Sequence, residues 1–377
     1  MGAPVRYHLG KFPPAPESLD WRRLVPAIGK ANAALARYDG LLSASPNAGL
    51  LLSPLTTQEA VLSSKIEGTN VTMGEVLEVE AGGEPKGLTE PKRRDIDEVR
   101  NYREALSVCA KVLEERSLSQ HLIREAHQVL MRGVRGEDKT PGQYRNDQNW
   151  IGPSGCSVEE ARFVPVAPEH LQTGMDQWAR FLEDTSQPDP LVQLALAHVE
   201  FEALHPFRDG NGRMGRMLIP LYLFQRRLLG GPYFYMSSYL EAHRDLYLEQ
   251  LRAVSRDDAW TEWCEFFLVG IAEQAAENER RTKAALELHK RTIRTVAELT
   301  HSQHADRAAD FLFQQPIFAA PHFIEKSGVP KPTAIRMLTL LRQANLIQTL
   351  REGKGRRFGV YCFGELLVIA EGRASIE

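Results

Sequence analysis

Cysteine is scarce in this chain: Cys109, Cys156, Cys264 and Cys362 are the only four in 377 residues. None stands at metal-ligand spacing, and a chain of this length builds a core without covalent staples. A disulfide scaffold and a zinc ribbon are therefore excluded, and reduced thiols in a cytoplasmic protein are expected. Long apolar runs are also missing. The stretch Leu191–Leu204 is interrupted by His198, Glu200 and Glu202, so no membrane-spanning helix and no membrane partner are expected. The first residues carry no apolar leader, and Arg6 stands where a myristoylation pattern needs Ser or Thr. Neither sign of charge dominates. The net charge of −3 gives the whole molecule no bulk attraction for nucleic acid. No G-x-x-x-x-G-K-[ST] loop occurs, which excludes a Walker-type phosphate site. No H-E-x-x-H occurs either, although His198 and Glu202 stand one turn apart ahead of His205, so a zinc protease is excluded.

What is present is a chain with 43% hydrophobic residues, enough for a substantial core and for two or three domains. Apolar spacing predicts helices over Trp21–Tyr38 (or starting later, because Pro26 disturbs the first turn), Leu55–Ile66, Arg94–Glu115 and Ser119–Arg132. Further helices are predicted over Glu169–Glu183, Pro190–Leu204, Gly212 toward Leu229, Glu241–Ser255 and Ala259–Leu299. The Gly- and Pro-rich stretches Ala81–Lys92 and Gly133–Val166 read as irregular, the second with short strands beside its turns. The expected fold is mainly α.

The last eighty residues change character. Helices are predicted at Arg307–Phe313, Phe323–Ser327 and Thr333–Gln343, then strands at Leu346–Leu350 and Gly359–Phe363. That order is the layout of a winged helix. Between Pro321 and Val360 the balance is +6, against −3 for the whole chain. Lys354, Arg356 and Arg357 in the wing can contact phosphates, and Thr333–Arg342 can enter a major groove, so DNA is a candidate partner.

The stretch His205-Pro206-Phe207-Arg208-Asp209-Gly210-Asn211-Gly212-Arg213-Met214-Gly215-Arg216 carries the chemistry. His205 precedes a proline and therefore ends a helix, where its imidazole can accept a proton from a hydroxyl. Asp209 offers one carboxylate to Mg²⁺ when phosphates supply the other ligands. Gly210, Asn211 and Gly212 let backbone N–H groups approach an anion at the start of the next helix. Arg213 and Arg216 stand three apart on that helix and can grip phosphates bidentately. A base, a metal handle, an anion cradle and two cations are what phosphoryl or nucleotidyl transfer needs.

These twelve residues match HPFx[D/E]GNGRxxR and resemble the signature of the Fic (Fido-domain) family. Pro141-Gly142-Gln143-Tyr144-Arg145 is similar to the segment that precedes the family's target-docking flap. The resemblance implies a Fic helical core with a β-hairpin flap, with residues 1–112 as an N-terminal helical region, 113–290 as the catalytic core and 291–377 as a linker helix with the winged-helix domain. It also implies transfer of AMP from ATP to a Tyr, Thr or Ser hydroxyl of a protein, the chain itself included, with release of pyrophosphate. In that reading His205 is the base and Asp209 holds Mg²⁺. Gly210, Asn211 and Gly212 form the anion hole, Arg213 supports the phosphates, and Arg216 holds the terminal one. The flap would be Asn149-Trp150-Ile151-Gly152, pairing with an extended target segment. Tyr247, in His243-Arg244-Asp245-Leu246-Tyr247-Leu248, would lie near the adenosine. Here His243 and Leu248 depart from the family's Asn-Arg-x-x-Tyr-Tyr.

Ser63-Ser64-Lys65-Ile66-Glu67-Gly68 resembles the family's inhibitory motif, [S/T]xxxE[G/N]. The implied device pairs Glu67 with Arg216 and removes the cation meant for the γ-phosphate. Ser64-x-x-Glu67 also fits a helix capping box. Other readings stay open: transfer of UMP, phosphocholine or phosphate, removal of AMP from modified proteins, or a DNA-binding regulator with a secondary Fic core. Gly212 stands where the Doc-type kinases carry Lys, which argues against phosphate transfer. A homodimer is compatible with the family and is not fixed by the sequence.

Overall fold

The computed structural model describes residues 3–45, 48–153, 155–353 and 357–372. In chain order the elements are β1 (Val5–Arg6), α1 (Trp21–Ser43), α2 (Ala48–Leu51), α3 (Ser53–Ile66), α4 (Met73–Glu80), α5 (Glu90–Leu113) and α6 (Gln120–Leu130). Then follow β2 (Phe163–Val164), α7 (Pro168–Glu183), α8 (Pro190–Leu204), α9 (Asn211–Gln225), α10 (Ser237–Ala242), α11 (Arg244–Asp257) and α12 (Trp260–Thr300). The last part holds α13 (Ala305–Gln314), β3 (Ile317–Ala319), α14 (Ala320–Lys326), α15 (Lys331–Gln343), β4 (Gln348–Arg351), β5 (Val360–Cys362) and α16 (Gly364–Glu371). The protein is mainly α. The chain divides into two compact units, Met1–Asp39 with Leu62–Gly68 and Asn101–Ala276, and Gly40–Val61 with Thr69–Arg100 and Glu277–Glu377.

The first unit is built round α8. All residues from Leu191 to Leu204 are buried, as expected of a helix that is apolar on every face. Asp189 caps it by accepting from the N–H groups of Leu191 and Val192, with Pro190 in the first turn, where a missing N–H costs nothing. Trp178 of α7 and Trp263 of α12 each donate an indole N–H to an α8 carbonyl, at Ala197 (2.8 Å) and Ala195 (2.7 Å). Both aromatic bodies thus stay buried with their polar atom satisfied. β1 pairs in parallel with β2. Inside this pairing His8 Nε2 lies 2.8 Å from Glu200 Oε2, and Tyr7 donates to the other carboxylate oxygen at 2.6 Å.

The second unit has its own aromatic core, in which Phe311, Phe318 and Phe323 meet edge to face or tilted at centroid distances of 5.2–5.8 Å. Three helices, α13, α14 and α15, accompany an antiparallel sheet of order β3-β5-β4.

Several elements differ from the sequence expectation. α1 starts at Trp21 and keeps Pro26 inside. α4 is an unexpected helix. Its Thr72 side chain accepts from the Glu75 N–H while Glu75 caps the Thr72 N–H, a reciprocal pair that nucleates eight residues. α5 begins at Glu90, inside the stretch read as a loop. The predicted Glu241–Ser255 helix is broken at His243 into α10 and α11. β3 and α16 were not expected. Among the described residues the flap is narrower than a two-stranded hairpin: one antiparallel bridge joins Ile151 to Phe163, whose other edge pairs with β1.

Candidate active site

α8 ends at His205, which takes a left-handed conformation (φ 48°, ψ 60°) that few non-glycine residues adopt without a reason. The turn is held by Arg145, buried at 3% exposure. Its guanidinium donates to the carbonyls of His205 (2.9 Å), Leu204 (3.1 Å), Val166 (2.5 Å) and Asp147 (2.9 Å). A cation thus covers carbonyl groups that the helix end leaves unpaired. Burial pulls Arg145 down to about 10, still charged at neutrality.

The loop beyond is closed by its own residues. Asn211 Oδ1 accepts from the Phe207 N–H and Asn211 Nδ2 donates to the Phe207 carbonyl, both at 2.8 Å. Phe207 stacks on His127 of α6, with centroids 3.8 Å apart and planes 7° from parallel. His127 Nδ1 accepts the Gly142 N–H at 2.9 Å, so its Nε2 carries the proton and donates to the Asp209 carbonyl, also at 2.9 Å. Burial, opposed by the Asp209 hydrogen bond, lowers His127 to about 4 and keeps it neutral.

His205 Nδ1 lies 3.3 Å from the Glu202 carbonyl, which can only accept. The proton therefore sits on Nδ1, and the Nε2 lone pair is free at the edge of a cleft of about 340 Å³ that His205 lines. Burial lowers its pKa to about 4, although the carbonyl bond and Glu67 pull the other way.

α9 opens the cleft floor. Gly210 (φ 76°) caps it in the left-handed region, where a side chain would be strained. A methyl group on Gly212 would stand 2.2 Å from Glu67 Oε1, and one on Gly215 2.2 Å from Glu202 Oε1. Two carboxyl groups therefore lie directly on the backbone of the first turns of α9. Arg216, at 2% exposure, sits between them. It donates through Nε to Ser63 Oγ (3.0 Å), and through Nη2 to the Ser63 carbonyl (2.9 Å) and to Glu67 Oε1 (2.6 Å). Burial would push Glu67 up, but Arg216, with Arg213 and His205 behind it, brings the carboxyl below its ordinary value. Glu67 remains 35% exposed through the cleft, so water screens the pair in part. Burial would lower Arg216, and Glu67 and its neighbours raise it well above its usual value.

Asp209 points away from this pair. Its Oδ2 lies 3.1 Å from Lys139 Nζ and its Oδ1 accepts the Gly210 N–H at 2.7 Å. Arg213, buried, stands 3.9 Å from Asp209 Oδ1. Burial raises Asp209 and Lys139 outweighs it, so the carboxylate is ionised. Among the described residues no three His, Cys, Asp or Glu side chains form a metal cluster. A lone ionised carboxylate suits a Mg²⁺ that takes its remaining ligands from phosphates and water. His198 is no ligand: Nδ1 donates to the Gly215 carbonyl (3.1 Å) and Nε2 accepts from Tyr247 (2.9 Å).

Tyr247 lines the cleft from α11 but is 1% exposed and bonded to His198. In the flap, Asn149 Nδ2 donates to the Phe207 carbonyl at 3.2 Å, and Trp150 and Ile151 are exposed at 43% and 37%. At Gly152 a methyl group would meet Cys156 Sγ at 2.6 Å. The structure thus gathers His205, Gly212, Arg216, Glu67, Tyr247, Ile151 and Gly152 around one cleft, with Ser63 buried behind Arg216 and Asp209 and Arg213 in or next to the same loop. Sequence reading missed His127, Arg145, Lys139 and Glu202 as members of this site. Arg145 stands out in one dimension only as the end of the Pro141–Arg145 segment, and Glu202 only as a break in an apolar run one turn after His198. Lys139 is isolated, and His127 lies three residues before the end of an amphipathic helix, on its buried face.

The model of the "Fic/DOC family" matches residues 117–223, and that of the "Fic/DOC family N-terminal" region matches 25–110. A probable protein adenylyltransferase of Aquifex aeolicus is 29% identical over 196 residues, 52% of this chain and 56% of that protein. Protein adenylyltransferase fic-1 of Caenorhabditis elegans is 28% identical over 169 residues, 42% of this chain and 30% of that protein. The chain therefore spans about half, or less, of these relatives' length. Among solved structures, a Fic family protein from Desulfovibrio desulfuricans aligns with a TM-score of 0.54 at 21% identity, covering 90% of this chain and 96% of that one. Fic-1 of C. elegans (residues 134–508) aligns with a TM-score of 0.54 at 21% identity, covering 70% and 74%.

Proposed function

The chain belongs to the Fic/DOC family, and from that premise we propose that it is a protein adenylyltransferase held in check by its own Glu67. ATP occupies the cleft floored by the N-terminal turn of α9, and a protein hydroxyl enters past the flap. His205 Nε2 takes the hydroxyl proton as the oxygen attacks the α-phosphorus and pyrophosphate leaves. The N–H groups of Asn211 and Gly212 face the phosphates, with Arg213 and Arg216 as cations, so the chemistry is mainly positioning and charge stabilisation. Asp209 would hold Mg²⁺, which supplies charge neutralisation on the phosphates; Lys139 must then give up that carboxylate. The flap residues Asn149 to Gly152 would receive the target, with Trp150 and Ile151 supplying exposed apolar area. Tyr247 would border the nucleoside end of the cleft. Residues 1–112, 113–290 and 291–377 are read as the regulatory, catalytic and winged-helix portions.

One observation carries the restraint: Glu67 Oε1 is 2.6 Å from Arg216 Nη2 and rests on Gly212, the place a terminal phosphate would need. Incubation with α-labelled ATP and Mg²⁺ tests it. Glu67→Gly is expected to raise self-labelling at least tenfold over the parent chain, and His205→Ala in that background to abolish it. Equal labelling of the parent and Glu67→Gly would remove the restraint from the account. The mass added to the product separates AMP from UMP, phosphocholine or phosphate, and loss of AMP from a modified protein would identify the reverse reaction.

The sheet order β3-β5-β4 beside α13, α14 and α15 supports reading the tail as a winged helix. Of the wing cations considered for DNA, Lys354 and Arg356 lie outside the described residues, and Arg357 lies within them. In α15, Arg336 donates to the Thr300 carbonyl at 2.9 Å, and Arg342 stands 3.8 Å from Glu352. These contacts do not favour DNA as the partner, and a gel shift at two salt concentrations decides the question.

A further inference from the structure

Glu202 has no task in the mechanism above, yet it is one of the two carboxyl groups packed against α9 in the cleft. It lies on α8 one turn after His198, is 9% exposed and lines the cleft wall. Its Oε1 is buried without a hydrogen-bond partner and presses on the backbone of Gly215. A buried, unpaired carboxyl oxygen is costly, and here the carboxyl group that carries it belongs to a side chain lining the cleft, where a ligand can meet it. Its charged and titratable surroundings are Arg216 on α9, Glu67 after α3, Tyr247 on α11, His198 on its own helix and His205 at that helix's end, and Arg162, Arg244 and Arg252 line the same cleft. Burial raises its pKa to about 7, with Arg216 lowering and Glu67 raising it. His198 is neutral, held near 3 by burial and by Arg216. The group is thus poised between a neutral acid and a carboxylate.

We propose that Glu202 is a second phosphate-binding group of this cleft, acting as an uncharged carboxylic acid that donates its proton in a hydrogen bond to a terminal phosphate oxygen beside Arg216. This rests on the nucleotide reading of the cleft. In the resting chain, Arg216 is flanked by two carboxyls over Gly212 and Gly215. When a polyphosphate replaces Glu67, it brings more negative charge to the same spot. An ionised Glu202 would repel it, whereas a neutral one supplies a donor where α9 has no side chain at all. Binding of a triphosphate then draws a proton from solvent whenever the free protein has lost it. Affinity falls as pH rises above the pKa of Glu202 in the free protein, by about tenfold per pH unit for one linked proton.

The test is calorimetric titration of Glu67→Gly with α,β-methylene-ATP and Mg²⁺ at pH 8, in two buffers of different ionisation enthalpy, and then with AMP. The triphosphate analogue is expected to take up close to one proton more than AMP does. In Glu67→Gly/Glu202→Gln, which keeps an uncharged donor, that uptake disappears and the fall in affinity between pH 7 and 8.5 flattens to that of the nucleotide's own titration. Glu67→Gly/Glu202→Ala binds the analogue at least tenfold more weakly at pH 6.5. Unchanged uptake in the Gln variant, or unchanged affinity in the Ala variant, overturns the proposal while leaving the nucleotide reading intact. If Glu67→Gly binds neither nucleotide at any pH, the nucleotide reading itself falls. The analogue–AMP comparison is made with Glu202 in place, so it stands even if a Glu202 variant folds poorly.

Discussion

At the residue scale the decisive geometry is the pressure of two carboxyl oxygens on two glycines. Gly212 and Gly215 are three apart on α9 and leave its backbone bare where Glu67 and Glu202 rest. A methyl group at 212 must push Glu67 aside, which by itself would favour release of the cleft. The same methyl occupies the place an anion needs. Gly212→Ala is therefore expected to fail to activate and, in the Glu67→Gly background, to cut AMP transfer by about 10²-fold, the scale of a lost oxyanion donor. Ser63→Ala removes one hydrogen bond to Arg216 and keeps the Ser63 carbonyl bond. Labelling by that variant should fall between the parent chain and Glu67→Gly. The sequence made Glu67 and Arg216 legible as a pair because each lies in a motif. Glu202 was legible only as a break in an apolar run, since nothing in one dimension says which face of a fully buried helix meets a cleft.

At the element scale, α8 and α9 form one device joined by a loop that other elements hold in shape. Arg145 binds four carbonyls, and His127 bonds Gly142 and Asp209 while stacking on Phe207. Neither touches the expected site of the reacting atoms. On the proposed mechanism both are positioning residues, and their loss should lower kcat more than it raises KM. For His127→Ala a kcat drop of about 10²-fold is expected, as when a supporting contact shifts reacting groups by about an ångström. His127→Asn, which keeps a donor and an acceptor, should recover part of it. Steady-state kinetics in the Glu67→Gly background checks both variants. Helix α8 is found over the Pro190–Leu204 range expected from the sequence, its stop marked by His205 before Pro206. α4 was not legible there, because its stability comes from the Thr72–Glu75 capping pair rather than from a long apolar period. β3 was hidden for a similar reason: three buried residues leave no alternation to count.

At the scale of the whole molecule, three imidazoles of the first unit are held neutral: His205 at the cleft and, deeper, His127 and His198. His127 and His198 are each 1% exposed and are held near 4 and 3. Their folded values lie below the ordinary value of 6.5, so the unfolded chain binds more protons once pH drops under 6.5. Stability therefore rises with pH across this window and is lost as pH falls toward 4. Each imidazole contributes at most about 1.4 kcal/mol per pH unit. A thermal melt series from pH 7 to 4.5 should show a falling Tm, with a shallower slope for His198→Gln once its own destabilisation is subtracted. The mainly α class was legible because helical periodicity is repeated in every long segment. The division into two compact units was not, because both contain sequence-distant pieces, such as Leu62–Gly68 beside Asn101–Ala276.

The carboxylate proposed as the restraint sits one residue past the end of a helix, where bonds are of the tighter kind: Glu67 N–H to the Ser64 carbonyl and Gly68 N–H to the Lys65 carbonyl. Around it, Arg244 reaches the Ile66 carbonyl and Lys65 meets Glu241 at 2.8 Å on the surface. Helix ends fray at little cost, and a surface ion pair weakens in salt. On the proposed reading the idle enzyme would leak in proportion to how often that one turn melts. Background modification would then climb with ionic strength and warmth, even in a cell that supplies no releasing signal.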